Sequence, residues 1–311
     1  MAGLKVHLDT DIGGDLDDLC TLALLLTWPD VEITGVTTML EDRGRRAGYA
    51  RHVLDLAGRT TVPVAAGVEA TDPSFREIYG LPAEARYWPE PVRPLPGPLD
   101  AALDLLEQSV EQGALIIGIG PFTNLSRLER RRPGLLRRAK LCLMGGSVSP
   151  VPAGFPTWDY TMDFNVQADV TAAKHVLESA EPAQTTLVPI EVTAQTALRR
   201  ADLPVLQGSS PLGQLIAHQA EMFAQDQRNE ERYGRTCAGL PNDIVNFQHD
   251  PLACAVALGW GGVTIETLPL TLRVEDGWLR ERVSDQGRRL RVVTAVDREV
   301  FGRRWLDTVT G

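Results

Sequence analysis

Short apolar runs rich in β-branched residues alternate along this chain with longer amphipathic segments, and few folds accommodate that order. The runs predicted as strands before residue 191 are residues 4–8, 31–39, 62–66, 114–119, 140–144 and 185–190. The predicted helices between them are residues 43–57, 99–111, a segment beginning at 123, and 170–179. Strands that alternate with helices form parallel sheets joined by crossover helices. The sequence therefore predicts an α/β fold with an open, mostly parallel central sheet flanked by helices.

The pattern changes after about residue 197 and becomes mainly helical. Further strands are predicted at residues 263–272, 278–283 and 290–294. We find no internal repeat, and a chain of 311 residues can bury a large core. We expect residues 1–311 to form a single domain with extra helices and strands toward the carboxyl terminus.

Charge and cysteine content narrow the possible partners and the compartment. Asp and Glu number 41 against 31 Lys and Arg, and this net charge of −10 argues against a nucleic-acid polymer or an anionic membrane as partner. No apolar run approaches the ~20 residues of a membrane span. The first residues lack the basic and apolar regions of a secretory signal, and the four cysteines have no CxxC spacing. We expect a cytoplasmic protein with reduced thiols.

A dense group of carboxylates directly follows the first predicted strand. Residues 8–18 read Leu-Asp-Thr-Asp-Ile-Gly-Gly-Asp-Leu-Asp-Asp, and the acids are Asp9, Asp11, Asp15, Asp17 and Asp18. The glycines indicate a turn, so the acids are expected at the carboxyl end of a parallel strand, where open α/β sheets bind ligands. Like charges packed there repel one another unless a cation holds them together. Taken alone, such aspartates more often cap a helix; as a group they predict a divalent metal site.

A further carboxylate for such a metal is available near the other end of the chain. In Gln248-His249-Asp250-Pro251 the proline suits the first turn of a helix, so His249 and Asp250 are expected together at a helix start. A hard cation such as calcium binds several oxygens from carboxylates and backbone carbonyls. Asp250 can therefore join Asp11 and Asp18 around one calcium ion.

Three long segments interrupt the alternation and carry aromatic side chains. They are residues 71–98 with Tyr79, Tyr87 and Trp88, residues 147–160 with Trp158, and residues 227–242 with Tyr233. Loops of this length inside a compact domain are often functional. Their aromatic content favours lids over a ligand, and surface decoration is the alternative.

Six short motifs follow one another along nearly the whole chain. They are Asp9-Thr10-Asp11-Ile12-Gly13 with Asp17-Asp18, Gly120-Pro121-Phe122-Thr123-Asn124, Met144-Gly145-Gly146, Asp163-Phe164-Asn165, Val192-Thr193 and His249-Asp250-Pro251-Leu252-Ala253. In this order they resemble the inosine-uridine preferring nucleoside hydrolase family. The resemblance implies calcium-dependent hydrolysis of the N-glycosidic bond of ribonucleosides to ribose and free base. It also implies an open α/β sheet and a homodimer or homotetramer.

The resemblance assigns a catalytic base and the metal ligands. Asp11 matches the acid that binds calcium and activates the attacking, metal-bound water. Asp18 and Asp250 match the other metal carboxylates, and Ile119 matches the residue whose backbone carbonyl binds the metal. His249 matches the histidine implicated in protonating the departing base.

The resemblance also assigns substrate contacts. Asp17 matches the acid that grips a ribose hydroxyl, and Asp163 and Asn165 match the segment that holds the ribose 5′ end. Asp42 falls where the family has an asparagine contact. Candidates for contacts with the base are Trp158, Tyr160, Tyr233 and His218, each of which also fits ordinary packing.

Some alternatives remain open at the level of sequence. Two extra residues precede the acid pair, so Asp15 can replace Asp17 or Asp18 as a ligand, although the helix pattern that begins after Asp18 favours the pair. The base preference is also open. A haloacid dehalogenase-type phosphatase shares the strand followed by Asp-x-Asp, but none of the three lysines stands in a convincing motif. A non-hydrolytic nucleoside or ribose binder is the other rival.

Overall fold

A computed structural model describes residues 3–76 and 80–311 of the chain. The strands are β1 (Leu4–Thr10), β2 (Val31–Thr38), β3 (Val64–Ala66), β4 (Leu115–Gly118), β5 (Lys140–Met144), β6 (Thr185–Val188), β7 (Ala197–Arg199), β8 (Ile244–Phe247), β9 (Val263–Glu275), β10 (Trp278–Val283) and β11 (Arg288–Val296). The longer helices are α1 (Asp17–Thr27), α2 (Arg45–Leu56), α4 (Leu99–Glu111), α5 (Thr123–Arg131), α7 (Val170–Ser179), α10 (Pro211–Gln227), α11 (His249–Ala257) and α12 (Arg298–Thr310). The short helices are α3 (Glu84–Tyr87), α6 (Phe164–Gln167), α8 (Ile190–Thr193) and α9 (Leu203–Gln207).

Nine strands form the central sheet, in the order β10-β9-β11-β6-β5-β4-β1-β2-β3. Seven neighbouring strands are parallel, in the order β3, β2, β1, β4, β5, β6 and β11. The next strand, β9, runs antiparallel to both β11 and β10. The predicted open, mostly parallel sheet is confirmed, as are the extra strands toward the carboxyl terminus. After β3 the chain returns to the other side of β1 with β4, so the order of strands reverses between β1 and β4. In open α/β sheets such a switch point opens a crevice at the carboxyl ends of the strands.

Helices cover both faces of the sheet because both faces are apolar. On one face the apolar sides of α1, α2, α10, α11 and α12 pack in one core, with Leu22, Phe301 and Trp305 almost fully buried. On the other face α4, α5 and α7 pack over β4, β5 and β6. Burial on both faces explains why the central strands read as continuous apolar runs. The thiols of Cys20, Cys142 and Cys254 are free and buried.

Three details differ from the predictions. The strand predicted to reach residue 190 ends at Val188, because Pro189 precedes a short helix that begins at Ile190. The region after residue 197 also contains the small antiparallel ladder of β7 and β8, whose strands of three and four residues carry too little pattern to be predicted. Helix α12 was not predicted.

Two aromatic side chains of the first aromatic segment pack inside the fold. Tyr87 and Trp88 are buried, and the Trp88 ring stacks on the Tyr49 ring with centroids 4.4 Å apart. The Tyr87 hydroxyl donates to the Asp226 carboxylate at 2.7 Å, which ties this segment to α10. Tyr79 lies outside the described residues. Within the described ranges, no helix combines the length and apolar character needed to cross a membrane.

Candidate active site

The loops that follow β1 and β4 meet at the switch point of the sheet. The backbone N–H of Ile119 donates to the Asp9 carbonyl at 2.9 Å. A Cβ placed on Gly120 would lie 2.7 Å from Oδ1 of Asp11, so only glycine fits beside this carboxylate. The absence of a side chain at residue 120 therefore brings Asp11 and the Ile119 backbone into the same crevice.

Asp9 holds the loop that follows β1 through hydrogen bonds to neighbouring elements. Its carboxylate accepts a hydrogen bond from the Thr37 hydroxyl at 2.6 Å and one from the Asn124 amide at 2.9 Å. Burial raises the pKa of Asp9 to about 7, and these two donors oppose the rise. Because Asn124 also donates to the Thr38 carbonyl, it joins the ends of β1 and β2 to the start of α5.

Three carboxylates converge beside this loop. Asp17 and Asp18 begin α1, Asp250 lies in the first turn of α11, and these two helices pack against each other. Each of the three acids is buried and offers an oxygen, and the three oxygens lie within 4.8 Å of one another. Among the described residues this is the only such group of at least three potential ligands. The sequence predicted Asp250 together with Asp11 and Asp18, whereas this group contains Asp17 in place of Asp11.

The electrostatics of the trio suit a bound cation. Burial raises the pKa of Asp17, Asp18 and Asp250 well above the ordinary value, and the repulsion among the acids raises it further. The Thr10 hydroxyl donates to Asp18, and this contact opposes the rise only in part. Carboxylates in this situation are stabilised by protonation or by a divalent ion with oxygen ligands. The donor set therefore fits a hard metal ion.

Asp11 stands next to the trio without being one of its members. Its charge, like that of Asp15, raises the pKa of Asp17, Asp18 and Asp250, so its carboxylate lies near theirs. Burial also raises the pKa of Asp11 itself, and the Arg46 guanidinium opposes that rise. Asp11 therefore lies close to the three carboxylates, with the Arg46 charge beside it.

Arg46 is a functional candidate that the sequence did not reveal. Its side chain is buried and donates to the Leu40 carbonyl at 2.8 Å and to the Ile12 carbonyl at 3.1 Å. It thereby places a fixed positive charge against the loop that carries Asp11. Nothing in the segment Arg43-Gly44-Arg45-Arg46 distinguishes this arginine from its neighbours.

Asp15 has a different environment from the acid pair. It is exposed, and its carboxylate accepts from the Asn246 amide at 2.6 Å. This bond ties the glycine turn to β8. The structure therefore brings Asp17 and Asp18, and not Asp15, into the close group with Asp250.

The segment from Asp163 to Asn165 borders the same crevice. The Asn165 amide donates to the Ile119 carbonyl at 3.1 Å and to the Met144 carbonyl at 3.2 Å. It therefore contacts the carbonyl that the sequence predicted as a metal ligand. Asp163 caps α6 through the Val166 N–H and also accepts from the Gly146 N–H. Burial raises the pKa of Asp163 to about 7.

Asp42 is not brought into the carboxylate group. Its side chain is 40% exposed and pairs with Arg45 at 3.0 Å and with Arg43 at 3.3 Å. The neighbouring Glu41 turns inward instead and accepts from the Ala47 N–H at 2.8 Å. The substrate contact of Asp42 therefore stays a prediction. For that contact to form, the ion pairs of Asp42 with Arg43 and Arg45 would have to open.

Aromatic rings surround His249 beside Asp250. The Phe247 ring stacks on the His249 ring with centroids 5.4 Å apart, and the Trp158 ring lies 5.9 Å from it. Tyr233 packs edge-on against Trp158. Burial lowers the pKa of His249 to about 4, and its Nδ1 is 2.7 Å from the Thr193 hydroxyl. Two of the three aromatic segments therefore meet next to the carboxylates.

Two other candidates for base contacts have separate partners. Tyr160 packs under the Arg280 guanidinium, which lies 3.6 Å from the ring centroid. The His218 ring contacts the Arg86 carbonyl at 3.1 Å. Both contacts fit ordinary packing.

A second acidic group, which the sequence did not suggest, encloses the turn after β5. Glu191 accepts from the N–H groups of Val148 and Ser149 at 3.1 and 3.0 Å. Glu281 is buried with no hydrogen-bond partner for either oxygen in the described part of the chain. Burial raises the pKa of Glu281 to about 8, and the Asp163 charge adds to the rise. The signal was present in β10, because Glu281 shares the inward face of the strand with the fully buried Leu279.

An open parallel sheet with a carboxylate group at its switch point defines an α/β enzyme that binds a small polar ligand. The model of the inosine-uridine preferring nucleoside hydrolase family matches residues 6–303, and the chain belongs to this family. It is therefore a hydrolase of N-glycosyl bonds, with a small nucleoside as the fitting substrate.

Relatives and solved structures agree with this assignment. The chain is 26% identical over 271 residues to the pyrimidine-specific ribonucleoside hydrolase RihA of Salmonella schwarzengrund, covering 82% of this chain and 78% of the relative. It is 31% identical over 204 residues to an uncharacterized protein of Schizosaccharomyces pombe, covering 62% of this chain and 63% of that protein.

The fold is similar to that of a plant nucleoside hydrolase, the PpNRh1 enzyme, with a TM-score of 0.79, 21% identity and 99% of both chains covered. It is also similar to a purine-preferring ribonucleoside hydrolase from Gardnerella vaginalis, with a TM-score of 0.77, 23% identity, and 99% and 98% covered. At these identities the likeness concerns the fold.

Proposed function

We propose that this protein hydrolyses the N-glycosidic bond of ribonucleosides to ribose and free base in a calcium-dependent reaction. The observation that carries the proposal is the convergence of Asp17, Asp18 and Asp250 within 4.8 Å at the switch point, with Asp11 beside them. A group of buried, mutually repelling carboxylates is unstable as a structural element and has an evident use as a cation site.

Asp11, Asp18 and Asp250 would hold the ion together with the Ile119 carbonyl. All of these donors are oxygens, which favours calcium over softer metals. When bound, the ion supplies a positive charge that orients a vicinal diol and lowers the pKa of water. The Asn165 amide supports the arrangement because it holds the Ile119 carbonyl at 3.1 Å.

Asp11 acts as the general base that takes a proton from the attacking water. Burial raises the pKa of Asp11 and so its affinity for that proton, and the Arg46 charge opposes the rise. As the glycosidic bond lengthens, the ribose gains oxocarbenium character, which nearby carboxylates stabilise. The His249 imidazole donates a hydrogen bond to the departing base.

Asp17 grips a ribose hydroxyl, and Asp163 and Asn165 contact the 5′ end of the sugar. The burial of all three and their place around one crevice support these roles. Trp158 contacts the base, since its ring lies 5.9 Å from His249. The low polarity of this aromatic group suits the flat face of a nucleobase.

The wider setting is proposed from the sequence and the resemblance. We place the enzyme in the cytoplasm as a homodimer or homotetramer, with residues 1–311 in one domain. The net charge of −10 supports a small-molecule substrate over a nucleic-acid polymer or a membrane.

The test is a panel of purine and pyrimidine ribonucleosides incubated with purified protein, with reducing sugar measured with and without a chelator. We expect ribose release that chelation stops and calcium restores, and D11N should abolish it. The matched control is D104N, the same change at a carboxylate whose side chain is 62% exposed on α4.

The rivals give different products in the same assay. A phosphatase would release phosphate from phosphate esters, and a binding protein would retain nucleosides without turnover. Full activity of D11N would refute the assigned base.

A further inference from the structure

We infer that Thr193 is the positioning residue for His249: its hydroxyl donates to Nδ1, so that Nε2 carries the hydrogen and presents it to the departing base. This inference rests on the proposed function and adds a residue to it. Thr193 touches neither the ribose nor the carboxylate group, and it acts through the imidazole alone.

The contact between the two side chains is short and buried. Thr193 Oγ1 lies 2.7 Å from His249 Nδ1, and Thr193 is 0% exposed at the end of α8. The Phe247 ring stacks on the imidazole at an interplanar angle of 26°. A ring that is packed on one face and hydrogen-bonded at one nitrogen has a single orientation. Its Nε2 has no hydrogen-bond partner among the described residues and is free for a ligand.

The hydrogen bonds around Thr193 are compatible with the inferred tautomer. Besides Nδ1, the hydroxyl has one other acceptor nearby, the Ile190 carbonyl at 3.3 Å. That carbonyl already accepts from the Ala194 N–H at 2.9 Å. A hydroxyl has one hydrogen, and because the Ile190 carbonyl already has a donor, we assign the Thr193 hydrogen to the contact with Nδ1. A neutral imidazole that accepts at Nδ1 carries its hydrogen on Nε2.

The backbone holds the two residues in register. The Gln248 N–H donates to the Thr196 carbonyl at 3.1 Å. The Thr196 hydroxyl bridges back, 2.9 Å from the Thr193 carbonyl and 3.1 Å from the Gln248 carbonyl. The segment that carries Thr193 is thus joined to the residue before His249, and the distance between the two side chains is fixed by the fold.

The chemistry explains the need for this orientation. When the C1′–N bond breaks, its electron pair moves to the base, and the water oxygen forms the new bond to C1′. The water proton goes to Asp11, and the base gains a proton from solvent, so that water is consumed overall. The Nε2–H hydrogen bond stabilises the electron pair on the base while the bond breaks.

The test compares two leaving groups in the calcium-loaded enzyme. T193V removes the hydroxyl at nearly constant shape, and T193S restores it. T185V is the matched control, because Thr185 is equally buried, lies at the far end of β6 and donates to the Glu181 carbonyl at 2.9 Å. The substrates are the nucleoside that the wild type cleaves fastest and p-nitrophenyl β-ribofuranoside, whose phenolate leaves without a hydrogen bond.

We expect T193V to lower kcat on the nucleoside about tenfold while the nitrophenyl riboside changes less than about twofold. T193S should recover most of the loss, and T185V should match the wild type. Equal losses on both substrates would show a merely structural role and overturn the inference. Unchanged kcat on the nucleoside would overturn it as well.

Nitrogen-15 NMR of the His249 ring tests the tautomer without any variant. We expect the wild type to carry the hydrogen on Nε2, and a hydrogen on Nδ1 would overturn the inference whether or not T193V folds. Failure of the proposed function looks different, because the wild type would then release ribose from neither substrate.

Discussion

Gly120 leaves no room for a side chain beside the carboxylate of Asp11. A methyl group at residue 120 would be 2.7 Å from Oδ1 and 3.1 Å from the backbone nitrogen of Asp11. The Met39 sulfur, 2.9 Å from the same point, closes the remaining side. The position of Asp11, the proposed general base, therefore depends on a residue that contributes no side chain.

Gly120→Ala should displace the Asp11 carboxylate and lower kcat/KM by about tenfold or more, since a shift of about 1 Å in a catalytic group can reduce the rate by up to 10². The measurement is ribose release at saturating calcium. The control is Gly97→Ala, because a Cβ at Gly97 meets nothing within 4 Å. An active G120A enzyme would show that the loop yields and that Asp11 is not held there.

Calcium should stabilise the folded protein, because the ion neutralises carboxylates that repel one another in its absence. At a calcium concentration of about 100 times Kd the gain is roughly 2.7 kcal/mol, visible as a rise in Tm. D250N should lose most of this rise, whereas D104N should keep it. An equal calcium-induced rise in D250N would exclude Asp250 from the site.

Glu281 should make the protein less stable as the pH rises from about 5 to 8. Burial raises the pKa of Glu281 to about 8 from a usual 4.5, so between these values the folded state keeps a proton that the unfolded state has lost. Stability then falls with increasing pH by about 1.4 kcal/mol per unit from this group. Below pH 4.5 the effect vanishes, because both states are protonated.

E281Q removes this dependence, so the Tm of E281Q relative to the wild type should increase from pH 5 to pH 8. The comparison is made by thermal unfolding at constant ionic strength. E299Q, at an exposed carboxylate, serves as the control. Parallel Tm profiles for E281Q and the wild type would mean that Glu281 is ionised at neutral pH.

Trp158→Ala should raise KM for nucleosides more than it lowers kcat, because Trp158 contributes stacking area near the base. Loss of one aromatic contact of about 1–3 kcal/mol corresponds to roughly five- to 150-fold in affinity. Y87A cannot serve as control since Tyr87 is buried in the core. Tyr160→Phe is suitable, because it keeps the ring under Arg280. An unchanged KM in W158A would place the base elsewhere.

The sequence predicted the sheet well because parallel strands buried on both faces produce long apolar runs. The end of β6 was misplaced by two residues because Ile190 continues the apolar run although Pro189 already ends the strand. Helix α12 and the ladder of β7 and β8 depend on packing against distant elements, and local pattern does not encode such contacts.

The order of the sequence motifs predicted part of the candidate site. The sequence predicted Asp11, Asp18 and Asp250 around one ion, whereas the close group consists of Asp17, Asp18 and Asp250, with Asp250 lying 232 positions after Asp18. Arg46 and the bond from Thr193 to His249 were not predicted, because each is a spatial relationship between side chains that no spacing reveals. Glu281 could have been found, since it alternates with Leu279 on an inward strand face.

The pairing of α1 with α11 has a consequence for synthesis on the ribosome. A nascent chain that has emerged only as far as β8 already contains Asp17 and Asp18 but lacks Asp250. Such an intermediate cannot assemble the close group of three oxygens. Tight capture of the proposed ion is therefore expected only after α11 has emerged and docked against α1.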